Sequence, residues 1–91
     1  GQPRGQRRKI EQMLQLLAGD PDIHVRRALG DALDRLVEAN VELGLATLDI
    51  LIEDRDPYVR QRAWRVVLRL TDLYPAQAAG YYAQLLTRPG G

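Results

Sequence analysis

The feature that most constrains this chain is an internal repeat of 34 residues. Displaced by 34 positions, Leu14–Leu36 overlies Leu48–Leu70 without a gap, and eight of the 23 paired positions are identical. The identities are Leu14/Leu48, Leu17/Leu51, Asp20/Asp54, Asp22/Asp56, Val25/Val59, Arg26/Arg60, Arg35/Arg69 and Leu36/Leu70. A second displacement carries Leu48, Leu51 and Ile52 onto Tyr82, Leu85 and Leu86, and the match ends at Arg88-Pro89-Gly90. Self-similarity at such a period marks stacked supersecondary units, each too small to bury its apolar face alone. The chain holds about two and a half of them.

Each unit reads as two helices. Ile10, Met13, Leu14 and Leu17 follow the i, i+3, i+4, i+7 pattern of one apolar stripe, which Gly19-Asp20-Pro21 ends. Val25, Leu29, Ala32, Leu33 and Leu36 form the stripe of a second helix. Asn40 is placed as the N-cap of a third, carrying Val41, Leu45, Leu48 and Ile52, with Leu43 and Ile50 left for a second packing surface. Asp54–Pro57 is a turn whose proline suits the first position of the fourth helix. That helix carries Val59, Ala63, Val66, Val67, Leu70 and Leu73, and Tyr74-Pro75 breaks it. Pro75 opens a fifth helix running to about Thr87. No stretch alternates with period two, so the expected fold class is all-α: five helices in a short α-solenoid. Helices one, three and five are expected in one layer, and two and four in the other. Residues 1–8 read as a flexible basic tail, 9–88 as the repeat domain and 89–91 as a C-terminal tail.

The runs Asp20-Pro21-Asp22-Ile23-His24-Val25-Arg26-Arg27-Ala28 and Asp54-Arg55-Asp56-Pro57-Tyr58-Val59-Arg60 resemble the turn and second-helix start of HEAT repeats, a branch of the armadillo-like solenoids. The family pattern places an Asp in the turn and a Val-Arg pair about five residues later, after a leucine-rich first helix such as Met13–Leu17 or Leu48–Ile52. The resemblance covers nearly the whole chain. It implies that Asp20, Arg26, Asp54 and Arg60 form a structural ladder between repeats, a role their chemistry allows: the carboxylates can take backbone N–H groups in the turn, and the guanidinium groups can reach them. It also implies a curved scaffold for protein or nucleic acid. The spacing and the Asp-Pro-Asp…Val-Arg-Arg-Ala run look especially like HEAT-like DNA glycosylases. Those enzymes hold an alkylated base with aromatic and acidic residues on a longer array, whereas Trp64 is the only tryptophan here, so their activity is not carried over. Metal-dependent HEAT hydroxylases use paired His-Glu motifs, and here His24 is followed by Val25. Armadillo proteins that clasp basic peptides set Trp and Asn one turn apart, but one turn after Trp64 stands Leu68.

Composition narrows the function further. The chain lacks cysteine and has one histidine, so thiol chemistry and any site needing two imidazoles are excluded. No apolar run approaches the length of a membrane span, and the lack of cysteine agrees with a cytoplasmic setting. Glu38, Glu42 and Glu53 are spread over two helices and form no acid–base pair. Neither a catalytic group nor a cofactor or metal site is expected, and the first expectation is a non-catalytic protein-interaction module, part of a larger protein. Net charge is only +1, yet twelve of the 13 basic residues are arginine, and Arg62, Arg65 and Arg69 line one side of helix four. This ridge is either a solvated face with local ion pairs or a grip for phosphates or carboxylates. The alternative function is therefore a nucleic-acid-binding module that uses this ridge with Arg4, Arg7, Arg8 and Lys9. Trp64 falls where the first unit has Gly30, which favours packing between repeats; left exposed beside arginine it would be an anchor for a partner. Tyr81, Tyr82, Leu85 and Leu86 give helix five an apolar face suited to self-association if nothing covers it.

Overall fold

A computed structural model describes residues 4–87, so the basic tail expected over 1–3, the repeat end at 88 and the C-terminal tail 89–91 lie outside the described residues. Within them the chain is all-helical: α1 spans Arg4–Ala18, α2 Ile23–Ala39, α3 Val41–Leu51, α4 Pro57–Leu73 and α5 Pro75–Thr87. Helix α1 starts inside the segment expected as a tail. Arginine, glutamine and lysine are good helix formers, and Arg7 is drawn onto Glu42 of α3 at 2.7 Å.

The two long turns share one design. The Asp22 backbone N–H donates to Asp20 Oδ1, and the Asp56 N–H donates to Asp54 Oδ1, both at 2.8 Å. In each turn the second aspartate then caps the following helix: Asp22 accepts from the His24 N–H and Asp56 from the Val59 N–H. Short carboxylates are suited to this because they satisfy helix-start donors that have no partner within the helix. Pro57 occupies the start of α4, where its missing N–H costs nothing.

Between α2 and α3 the chain reverses over one residue. The Asn40 N–H donates to Leu36 O at 2.8 Å and closes α2, while its side chain accepts from the Leu43 N–H at 3.1 Å and caps α3. The tight joint brings the helices together at Gly44, where an added Cβ would lie 2.5–2.8 Å from Val37, including its backbone.

Helix α2 lies against α3 and α4, α1 against α2 and α3, and α4 against α3 and α5. The core between them is built on Leu33, Leu48, Leu51, Val59, Val67 and Leu70. Thr47, also buried, satisfies its hydroxyl on Leu43 O. Leu43 is buried too, whereas Ile50 stays partly exposed beside the turns. Helix α5 was expected in one layer with α1 and α3, but its backbone approaches only α4. Tyr81 of α5 reaches α3: it is buried and donates its phenol proton to Asp49 at 2.6 Å.

Two glycine-to-alanine replacements should move stability in opposite directions. Gly44→Ala is expected to destabilise by about 1–3 kcal/mol, because overpacking against backbone outweighs the helix propensity gained. Nothing lies near the position a Cβ would take at Gly80, so Gly80→Ala should stabilise by about 0.5–1 kcal/mol. Urea unfolding of the two variants checks both signs.

Candidate interaction surface

Gly30 faces α4 directly, and a Cβ on residue 30 would rest in ordinary contact with Arg62, 3.5 Å from its Cβ. Beside this approach α2 and α4 enclose an open groove of about 330 Å³, lined by Gly30, Asp31, Asp34, Arg62, Arg65, Val66 and Arg69. The arginine ridge anticipated on helix four is therefore one wall. The opposite wall is acidic. Arg62 Nε lies 3.0 Å from Asp31 Oδ1, and Arg69 meets Asp34 at 3.3 Å and Glu38 at 2.9 Å. These carboxylates raise the Arg69 pKa, Glu38 foremost through its hydrogen bond. Arg65, on the exposed side of the helix, has no ion pair or hydrogen bond among the described residues.

At the mouth of the groove Tyr58 gathers charges of both signs. Its phenol donates to Asp31 Oδ1 at 2.7 Å, which raises its pKa, and the guanidinium carbons of Arg27 and Arg62 lie 5.3 and 6.0 Å from its ring centre. Arg27 also holds Asp56 with two hydrogen bonds, of 2.9 and 3.1 Å. That pairing, helped by the Val59 N–H and opposed by burial, keeps the Asp56 carboxyl below the usual carboxylate range.

The four residues assigned to a ladder lie at the two turns, Arg26 buried and the other three partly exposed. Arg26 is buried, donates from Nε to Asp54 Oδ2 at 2.8 Å, and ties back to Asp20 O and Pro21 O. One side chain thus joins both turns. Arg60 repeats half the pattern: it donates to Asp54 O at 2.9 Å but pairs with no carboxylate among the described residues.

Trp64 is half-buried and packs between repeats as expected, though not onto Gly30, its counterpart in the first unit. It packs on Tyr82, ring centres 5.9 Å apart, and the Tyr82 hydroxyl lies 3.4 Å from Thr71 Oγ1. The reason is lateral offset: Gly30 is taken up by Arg62, and the outer flank of α4 turns towards α5. The apolar face expected on helix five divides in the same way, with Tyr81 and Tyr82 turned inward and Leu85 and Leu86 exposed. The Arg27–Asp56 pair and the bonds of Tyr58 and Tyr81 were not anticipated; the signal for the first was Arg27 standing beside Arg26, as Asp56 stands two residues from Asp54.

No family model matches the chain, and no curated protein or solved structure shows significant similarity to it. Among the described residues, no helix is long and apolar enough to cross a membrane.

Arg26→Ala leaves Asp54 buried without its cation and is expected to cost about 3–5 kcal/mol. Arg60→Ala orphans no carboxylate and should cost about 1 kcal/mol; chemical denaturation of the pair separates the two roles. Because the Asp56 pKa is lower in the folded state, its contribution is complete above the unfolded value near pH ~4 and is lost as pH falls through the folded value. Unfolding curves measured from pH ~6 to ~2 should show that loss, with a shallower acid decline in Asp56→Asn.

Proposed function

We propose that this chain is a short HEAT-type stack of helical hairpins that serves as a non-catalytic, cytoplasmic protein-interaction module, with the groove between α2 and α4 as its contact surface. The observation that carries this reading is the balance of charge in that groove. Arg62 and Arg69 face Asp31, Asp34 and Glu38, while Arg65 stands unengaged among the described residues. A polyanion such as duplex nucleic acid is bound by releasing counterions from several free cations at once, and here phosphates would have to displace carboxylates already in place. A protein surface can instead trade ion pairs one at a time and add a carboxylate on Arg65. The gapless 34-residue repeat and the Arg26–Asp54 pair between its two turns support the HEAT-type reading. The carboxylates of the groove are held by arginine, which suits recognition better than proton transfer.

Fluorescence anisotropy with a labelled DNA or RNA duplex at ~50 mM salt should give no saturable binding. Salt-steep binding that Arg65→Glu abolishes would establish the nucleic-acid alternative instead. Random peptides displayed on phage and selected against the chain should converge on acidic sequences whose binding Arg65→Glu removes. Selection of purely apolar or basic peptides, or indifference to Arg65→Glu, would move the contact surface away from this groove.

A further inference from the structure

The repeat permits a comparison within the molecule. Adding 34 to Leu17, Val25, Leu29 and Ala32 gives Leu51, Val59, Ala63 and Val66, all of them buried in the core. The second unit hides this face against the first, chiefly under α2. In the first unit no helix among the described residues covers the same face, and Val25 and Leu29 are only partly buried. Leu17 is 39% exposed where Leu51 is 0%, and with His24, Val25, Ala28, Leu29 and Ala32 it lines an open apolar groove of about 480 Å³.

The polar groups around it are equally half-used. Asp54 gives one oxygen to the Asp56 N–H and the other to Arg26, and Asp56 holds Arg27. Asp20 gives its Oδ1 to the Asp22 N–H, and Asp22 caps α2. Neither carries an ion pair among the described residues. Ala28 occupies the place of Arg62, the residue that Gly30 abuts, and His24 occupies the place of Tyr58, which takes up Asp31.

We propose that this open end of α1 and α2 is a docking surface for a partner helix bearing the sequence Arg-Arg-x-x-Gly-Asp, the pattern that α2 presents to α4. Its two arginines pair with Asp20 and Asp22, its glycine rides over Ala28, and its aspartate reaches His24. The apolar side of that helix fills the groove. A second copy stacked head to tail does not supply this pattern. Its outer helix offers Arg60-Gln61 in place of the arginine pair and Trp64 in place of the glycine, and an indole there prevents the close approach. This inference shares the repeat with the proposed helical stack but no lining residue with the arginine groove, so it can fail while that groove still binds, and the reverse.

The probe is a peptide with the sequence of residues 20–40, stapled between positions 28 and 32 on its far side so that it is helical in isolation. Titrated into the isotopically labelled full chain to about 1 mM, it should give saturable NMR shifts at Leu17, Val25, Leu29 and Ala32. Replacing both peptide arginines by alanine, or the peptide glycine by tryptophan, should weaken binding by about tenfold or more. Asp20→Asn with Asp22→Asn in the chain should do the same, since asparagine keeps both turn hydrogen bonds and removes only charge. Absence of shifts, shifts confined to Asp34, Arg65 and Arg69, or equal binding by the tryptophan peptide would overturn the proposal. So would concentration-dependent self-association of the unliganded chain that shifts the same four apolar residues, because a second copy would then be the occupant.

Discussion

The buried pair between Arg26 and Asp54 is the contact on which the rest of the structure depends. A guanidinium group withdrawn from water is costly unless its donors are met, and Arg26 meets them with a carboxylate of the second turn and two carbonyls of the first. Satisfying it therefore places the two turns in one register. With the turns fixed, α2 and α4 run side by side, and Gly30, Asp31 and Asp34 must face Arg62, Arg65 and Arg69. The charged groove follows from that pair.

The same register decides how the arginine cluster of α4 is balanced. Arginines on α4 and carboxylates on α2 are far apart in sequence and close in space, so they cancel locally. Surface ion pairs of this kind contribute little to stability, on the order of 0–1 kcal/mol each. What they supply is orientation: Tyr58, Asp31 and the two arginines around them restrain one another, and a restrained polar surface loses less freedom when a partner binds.

Much of the fold was legible because the informative residues act locally. Asn40 caps α3 with its side chain, Pro57 and Pro75 open helices with their rings, and α1 ends just before Gly19, each where the pattern placed it. The apolar stripes were legible for the same reason. Less legible was anything set by lateral offset between helices. The ridge of Arg62, Arg65 and Arg69 could be read, but not that Asp31, Asp34 and Glu38 would neutralise most of it, since the pairing depends on how α4 slides along α2. Trp64 illustrates the limit: its packing between repeats could be read from the match to Gly30, but not that Tyr82 of α5 would be its partner. The start of α1 at Arg4 was hidden by the lack of apolar periodicity there, because that stretch is held by helix propensity and by Arg7 on Glu42.

Asn40 has a consequence of another kind. A longer linker would let α2 and α3 adjust their crossing independently of the backbone. One residue that terminates the first helix and initiates the second leaves no slack, so the angle between them is written into the extended φ and ψ of Asn40, −155° and 101°. Neither helix can fray at that junction without uncapping the other. The pair therefore forms a single cooperative element, the rigid elbow from which the outer helices extend.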